Sequence, residues 1–299
     1  MRHEDPHPDP LPKGEGDTRR SGSLRPYLLA ALPAAFLLIF FALPTVFLLS
    51  ASFLRTEDMV VTSELTLDNY NELVSSPLYR GAILRSFVVG LSSGALVVLL
   101  AYPLAYFLAR TRSRWRGTLI ALSLAPLLAS VIVRTYGWWV VLNREGALNT
   151  FLLGIGAIDR PLLLLPSTGA IVLGITHALL PYGVLTIMAS LNGLDPGLER
   201  AAMSLGAGRL RTFLNVTLPL TAPGVAGGFL LTFAIAISAY ATPAILGGPG
   251  TQVMATMVQT FMLQLLDWAA GSAMGAILLV SSVVLVILMS AIGNERRAA

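Results

Sequence analysis

The sequence contains no cysteine, which excludes a disulfide framework and any thiol-based catalytic or metal site. It has only three histidines, of which His3 and His7 lie in a polar leader, so no histidine-based metal centre or triad is expected. Charged residues make up only 12% of the 299 positions and hydrophobic residues 55%. A soluble domain has about 25% charged residues. The balance is therefore typical of a polytopic membrane protein.

Sequence signals for catalysis are also missing. No phosphate-binding loop of the form GxxxxGK[ST] occurs, so this chain is not expected to bind ATP at a Walker site. No cluster of nucleophile, acid and base stands out, and we expect no catalytic residues, no metal, no cofactor and no nucleic-acid partner. No acidic residue lies deep in an apolar stretch and no internal repeat is evident, which argues against a transporter driven by an ion gradient.

Long apolar stretches dominate what is present. Residues 1–26 are rich in proline, glycine and charges of both signs, which predicts a disordered tail. Because the apolar stretches lack the alternation of a membrane barrel, and lipid requires internally bonded backbone groups, we expect an all-α polytopic protein with six transmembrane helices. Each has about the 20 residues that cross a bilayer. The six stretches are 27–50, 82–109, 118–141, 167–191, 223–246 and 269–292.

Basic residues are distributed unevenly between the segments that separate these stretches. Fourteen lie in the tail, the second and fourth loops and the C-terminal segment, against four in the alternate segments, Arg55, Arg80, Arg144 and Arg160. The positive-inside rule then places both termini in the cytoplasm. The opposite side is acidic, which is either ordinary for translocated loops or favourable for a cationic solute or a basic partner surface.

The cytoplasmic loop 195–219 carries the signals of two short helices. Asp195 is a typical N-cap and Pro196 a typical first helical residue, so a helix is expected to begin there. Gly206 and Gly208 are expected to end this helix. A helix this short is marginal alone, so its apolar stripe must either lie on the bilayer or dock on a cytoplasmic partner. The stripe consists of Leu198, Ala201, Ala202 and Leu205.

The spacing within this loop resembles the EAA loop of ABC importer permeases. Ala202 is followed after three residues by Gly206, and Gly206 after nine residues by an aliphatic residue, one further residue and Leu-Pro at 216–219. Arg200 stands where the family usually has glutamate, and Glu199 precedes it. The resemblance implies a coupling helix that docks on an ATP-hydrolysing subunit. The implied coupling residues are Glu199, Arg200, Ala201, Ala202, Leu205, Gly206 and Ala207.

Other stretches, such as LTLDNYNELVSSPLY at 65–79 and ISAYATPAILGG at 237–248, are similar to spermidine/putrescine-type permeases of this family. The resemblance covers about 27–297 and implies a transmembrane domain with a type I ABC importer permease-like bundle in the bacterial inner membrane. It also implies two ATP-binding cassette subunits, a second permease subunit, a periplasmic solute-binding protein and surrounding lipid. The implied solute is small and cationic, polyamine-like or derived from an opine or amino acid. An anion importer of the same fold and a gradient-driven secondary transporter are the alternatives.

Polar and aromatic residues inside the spans are candidates for the path of the solute. Arg134 is a charge near membrane depth, either functional or snorkelling to the interface. Tyr136, Trp138 and Trp139 follow it, as an interfacial belt or as a cavity wall. His177 is expected to be a packing residue. Prolines in two later spans suggest either helix kinks or broken helices with freed carbonyls. The candidates near these prolines are Tyr182, Ser238, Tyr240 and Thr242.

Overall fold

The computed structural model describes residues 25–57 and 59–298, so the tail predicted for 1–26 lies almost entirely outside the described residues. The chain divides into two compact units, Met1–Phe47 and Leu48–Ala299. Where it is described, the first unit is helical throughout, and its helix runs on past the boundary between the two units.

The first helix is apolar along most of its described length. It consists of α1, Arg25–Leu37, a π-helical turn at Leu38–Ala42, and α2, Leu43–Ala51. Its 21-residue segment Ala31–Ala51 is long enough to cross a membrane. At about 1.5 Å of rise per residue, such a segment reaches about 30 Å, the thickness of the hydrocarbon core.

A short hairpin and a helix follow, in a region where no strands were predicted. Strand β1, Leu54–Glu57, pairs antiparallel with β2, Val60–Leu65. Helix α3, Asp68–Ser75, packs back on this region, because Asn69 Nδ2 donates to the carbonyl oxygens of Ser52 at 3.0 Å and Leu54 at 2.8 Å. The hairpin is a small addition to a fold whose helical class is confirmed.

Three long helices form the centre of the second unit. They are α4, Pro77–Arg110, α8, Thr168–Asn192, and α11, Leu218–Ile237. Their shared face is lined by small and branched side chains, which permit close packing in a membrane. Gly183 of α8 illustrates this closeness, since a Cβ built there would lie 2.5 Å from the Val97 side chain of α4.

The third predicted span, 118–141, is not one straight helix. It consists of α5, Arg116–Leu128, and α6, Val131–Leu142, which continues through a turn into α7, Ala147–Gly154. The two parts meet at an angle of 95°. Pro126 near the end of α5 removes a backbone donor there, and Ser130 is not helical, with ψ at 139°. Among the described residues, five helices are long and apolar enough to span a membrane, and the number is six when this bent pair is counted as one broken span.

The fifth predicted span, 223–246, is displaced relative to the helices that form. The helical segment begins at α10, Arg209–Thr212, and runs through a π-helical turn at Phe213–Thr217 into α11. Pro219 does not interrupt this segment, and the π-helical turn at Phe213–Thr217 lies just before it. The helix then breaks at 238–240, ahead of Pro243, and α12, Ala241–Leu246, follows.

Two further helices complete the second unit. Helix α13, Met254–Gln259, precedes a π-helical turn at Thr260–Gln264 and α14, Trp268–Ala298. The segment before α13 is fastened to α4 by two long-range hydrogen bonds. Arg85 Nε donates to the Gln252 carbonyl at 2.8 Å, and the Ser86 hydroxyl accepts from the Met254 N–H at 2.7 Å.

Candidate coupling loop and translocation cavity

The helix predicted in the loop is α9, Pro196–Ser204. It begins as its sequence indicates, because Asp195 Oδ1 accepts a hydrogen bond of 2.8 Å from the Gly197 N–H and Pro196 is the first helical residue. This N-cap satisfies one of the donors that every helix leaves unpaired at its start. The short helix thus has a defined N-terminus next to the end of α8.

Gly206 ends α9 in a left-handed conformation, with φ at +90°. Its N–H donates to the Met203 carbonyl at 3.0 Å, and the Ala207 N–H donates to the Ala202 carbonyl at 3.1 Å. This pair of bonds is the Schellman arrangement, which needs a residue that tolerates positive φ. Gly208 follows with an ordinary φ of −67° and precedes α10. The glycine of the EAA-like spacing therefore fixes where α9 ends and how the chain turns.

Glu199 faces the long helices rather than the open side of the loop. Its Oε1 lies 3.0 Å from Nη2 of Arg110, at the end of α4, and accepts a hydrogen bond of 2.9 Å from the Thr217 hydroxyl. Arg110 also donates from Nη1 to the Leu191 carbonyl at 3.4 Å, at the end of α8. Glu199 directly precedes Arg200, which stands where the family usually has glutamate. The structure engages its carboxylate within this chain.

A chain of hydroxyl groups continues from Thr217 into the bundle. Thr221 donates to the Thr217 carbonyl at 2.8 Å and shares a hydrogen bond of 2.8 Å with the Tyr102 hydroxyl of α4. The Tyr102 ring packs edge-on against Phe213, with centroids 5.4 Å apart. Both threonines are buried. These contacts join the loop, α4 and α11 into one packed assembly.

The opposite side of the loop is open. Leu205 is 90% exposed and Leu210 71% exposed, and Arg200 and Ala201 are exposed as well. A cavity of about 530 Å³ lies beside this surface, between α9 and α10. Among its lining residues are Tyr106, Met203, Leu210 and Phe213. The open side is therefore an apolar surface with arginines at its edge, suited to contact with another protein.

A second cavity of about 670 Å³ lies where the bend of the third span meets α8 and the break after α11. It brings together five of the eight path candidates, from three helices and from the break after α11. These are Arg134, Tyr182, Ser238, Tyr240 and Thr242. Sequence inspection did not single out Ser130, which also lines this cavity, because its position depends on the 95° bend.

The guanidinium of Arg134 is the distinctive group in this cavity. Its Nε and Nη1 atoms are buried and have no hydrogen-bond partner among the described residues. No aspartate or glutamate belongs to the lining. Within the described residues, no group of three or more histidine, cysteine or acidic side chains is placed to hold a metal ion.

The other three path candidates lie elsewhere. Tyr136 and Trp139 are 55% and 40% exposed and do not line the cavity. Trp138 packs edge-on against His177, with ring centroids 5.7 Å apart, and its Nε1 donates to Nδ1 of His177 at 3.2 Å. His177 is thus half-buried and serves as the acceptor for an indole N–H, a more specific role than packing alone.

Comparison with known proteins agrees with this arrangement. A family model described as binding-protein-dependent transport system inner membrane component matches residues 27–297. The spermidine/putrescine transport system permease protein PotB of Escherichia coli is 34% identical over 238 residues, which cover 79% of this chain and 86% of PotB. The molybdenum transport system permease protein ModB of Mycobacterium bovis is 29% identical over 229 residues, covering 75% of this chain and 85% of ModB.

Solved structures share the fold at low sequence identity. A bacterial ABC transporter involved in the import of the acidic polysaccharide alginate matches with a TM-score of 0.73 at 19% identity, covering 91% of this chain and 96% of that one. The MetNI methionine ABC transporter in an inward-facing conformation matches with a TM-score of 0.54 at 18% identity, covering 74% and 95%. The resemblance stated from the sequence is confirmed. The chain is a multi-pass inner-membrane permease and belongs to the family of binding-protein-dependent transport system inner membrane components.

Proposed function

We propose that this chain is one of two membrane-spanning subunits of an ATP-driven importer. In this proposal it moves a small cationic solute, polyamine-like or derived from an opine or amino acid, from the periplasm to the cytoplasm by alternating access. The solute class is supported by the identity with PotB, whose name specifies spermidine and putrescine. The observation that carries the mechanism is the coupling loop, which is tied to the bundle on one side and open on the other.

The open side of α9 is the proposed docking surface for an ATP-binding cassette subunit. Leu205 is the most exposed apolar side chain of this loop, and Arg200 and Ala201 lie on the same open side. An amphipathic helix of this size binds by laying its apolar residues into a groove of its partner. Arg200, where the family usually has glutamate, then presents a positive charge to that groove. Ala202 and Ala207 carry the carbonyl and N–H that close the helix end.

Movement of α9 has a physical route to the solute cavity. Glu199 ties α9 to Arg110 of α4 and to Thr217, next to the start of α11. Helix α11 has 20 residues, or about 30 Å of length, and its last turn and the residue that follows it contribute Ile235 and Ser238 to the cavity lining. In this proposal, closure of the ATPase pair on binding nucleotide displaces the loop. The displacement reaches the cavity through the packed helices, which alternate between an inward-open and an outward-open arrangement.

The proposal includes the remaining subunits and the orientation. Two ATP-binding cassette subunits hydrolyse ATP, a second permease subunit completes the membrane part as a heterodimer, and a periplasmic binding protein delivers the solute. Both termini and the coupling loop face the cytoplasm, since the basic residues concentrate on that side.

Cross-linking tests the docking surface directly. Because this chain contains no cysteine, an introduced cysteine is its single reactive thiol. Leu205→Cys introduces a single thiol on the open side of the loop, and Leu163→Cys introduces one at a position that is 77% exposed on the proposed outer side. Each variant, in the complete transporter, is labelled with a thiol-reactive photo-cross-linker. We expect Leu205→Cys to yield a conjugate with the ATPase subunit in at least one nucleotide state and Leu163→Cys to yield none. Absence of the first conjugate in every nucleotide state contradicts the proposal.

A further inference from the structure

The second cavity contains the positive charge of Arg134, and the cationic group of the proposed solute offers this charge no negative partner. A guanidinium stays protonated in proteins, and a charge at membrane depth is costly unless it is paired. Two of its nitrogens, Nε and Nη1, are buried without a hydrogen-bond partner in the described part of the chain. Buried polar groups are almost always bonded, so two unpaired donors on a residue that lines a cavity point to a partner that is not among the described residues.

The lining of the cavity specifies the chemistry of that partner. It contains one cationic side chain and no acidic one among the residues that form it. An amine without any anionic group would meet the Arg134 charge with nothing to offset the repulsion. A carboxylate instead matches the fork of a guanidinium, which donates two parallel hydrogen bonds to its two oxygens.

The rest of the lining suits an ammonium group. Tyr182 and Tyr240 belong to the lining, and the face of a tyrosine ring attracts cations. The Ser238 hydroxyl donates within its own helix, to the carbonyls of Ala234 and Ile235, so its oxygen can accept from a solute. A volume of about 670 Å³ lies within the range of small-molecule sites, about 300–1,000 Å³. The cavity therefore fits a small molecule with a carboxylate at one end and an amine at the other.

We propose that this cavity is a solute-binding site for an amine that carries a carboxylate, with the carboxylate bound by Arg134. The inference rests on the proposed function and narrows it, because it selects amino-acid-derived cations over bare polyamines. It also makes Arg134 a specificity-determining residue of the permease, which recognises the solute after the binding protein has released it.

Matched pairs of amines test the selection. Ornithine and putrescine differ by one carboxylate, as do lysine and cadaverine, and arginine and agmatine. Binding of each radiolabelled compound is measured by scintillation proximity on the complete nucleotide-free transporter in lipid nanodiscs, without the binding protein. In at least one pair, we expect the carboxylated compound to bind at least tenfold more tightly than its partner. The absence of any such preference in all three pairs overturns the inference.

Variants then assign the preference to the guanidinium. Arg134→Gln is expected to abolish the preference, and Arg134→Lys to retain part of it, because lysine keeps the charge and loses the fork. Arg144→Gln removes the same charge from an exposed turn after α6 and is expected to leave the preference intact. If Arg134→Gln keeps the preference, the inference is wrong. It is equally wrong if Arg134→Gln only reduces recovery of the second permease subunit, since Arg134 then pairs across the subunit interface.

The two proposals fail in different ways. The wild-type transporter is also assayed for ATP hydrolysis stimulated by the solute-loaded binding protein. Stimulated hydrolysis together with no carboxylate preference rejects the binding site alone. Loss of stimulation in a correctly assembled complex rejects the proposed function, whatever the amines bind.

Discussion

Arg110 and Glu199 join two parts of the chain that lie 89 residues apart in sequence, with Arg110 Nη2 at 3.0 Å from Glu199 Oε1. The side chains are only 21% and 12% exposed, so solvent screens the pair weakly. Thr217 donates to the same carboxylate oxygen at 2.9 Å. One acidic group therefore fixes α9 to the end of α4 and to the residue before α11, and in the proposed mechanism movement of the loop reaches the bundle through it.

Glu199→Gln is predicted to weaken this coupling. The substitution keeps an acceptor for Thr217 but removes the charge that pairs with Arg110, leaving a partly buried cation without its partner. We expect a coupling energy of about 0.5–3 kcal/mol between the two residues and a severalfold loss of ATP hydrolysis stimulated by the binding protein. The coupling energy is measured with a double-mutant cycle of Arg110→Gln and Glu199→Gln on the stability of the purified transporter.

Arg112→Gln is the matched control for this ion pair, because Arg112 is an exposed arginine two residues beyond Arg110. We expect it to leave stimulated hydrolysis near the wild-type rate. Equal stimulation in Glu199→Gln and Arg112→Gln would mean that the ion pair does not transmit movement of the loop.

Gly206→Ala is predicted to impair coupling through backbone strain alone. A Cβ at this position would meet nothing within 4 Å, but the φ of +90° is one that alanine adopts only at a cost of about 1–3 kcal/mol. The end of α9 and the orientation of Leu205 depend on this turn. Stimulated hydrolysis is expected to fall severalfold.

Gly208→Ala provides the comparison, since its surroundings are also open and its φ is −67°, which alanine adopts freely. We expect near-normal stimulation from this variant. Equal activity of both alanine variants contradicts a role for the left-handed turn.

Tyr102→Phe is predicted to lower stability without changing the fold. It removes the hydroxyl that shares a hydrogen bond of 2.8 Å with Thr221 and keeps the ring that packs on Phe213. The expected loss is about 1 kcal/mol, measured by thermal unfolding of the purified transporter. Tyr106→Phe is the control, because Tyr106 also packs on Phe213, at 6.0 Å, and no hydrogen bond to its hydroxyl occurs within the described residues. A larger loss in Tyr106→Phe reverses the expected order and rejects the argument.

Local signals predicted where α9 begins and ends. Asp195, Pro196 and Gly206 each act on the backbone within a few residues, so the start of α9 and the turn that ends it could be inferred from sequence alone. The pairing of Glu199 with Arg110 could not, because nothing in a single sequence indicates which residues 89 positions apart become neighbours. The same limit applies to the hairpin of β1 and β2, whose short strands carry weak patterns.

The residues that line the second cavity were predicted only in part. Hydropathy indicated the third span but not its 95° bend. Residues such as Pro126 and Ser130 do not reveal the bend, because proline and serine are also tolerated inside unbroken membrane helices. On α6, Trp138 lies about one turn after Arg134, whereas Tyr136 and Trp139 lie on other faces. All four residues were chosen from the sequence because they are polar or aromatic side chains within a span. Only the packing of α6 shows that Arg134 lines the cavity and the other three do not.

Close packing of α4 and α8 leaves no room for added volume at Gly183. A Cβ there would lie 2.5 Å from Val97 Cγ1 and 3.0 Å from the Ala101 Cβ. Val97 and Ala101 are fully buried, so neither can move away without disturbing the core. Gly183→Ala is predicted to destabilise the protein by about 1–3 kcal/mol despite the higher helix propensity of alanine.

Gly169→Ala, on the same helix, separates packing from propensity. A Cβ at Gly169 would meet only the Ser167 hydroxyl, at 3.9 Å, so the substitution adds helix propensity without a clash. Thermal unfolding of the transporter in detergent is expected to show a lower midpoint for Gly183→Ala and an unchanged or higher one for Gly169→Ala. If Gly183→Ala unfolds at or above the wild-type temperature, the two helices can separate without loss of stability. Their closeness then does not hold the bundle together.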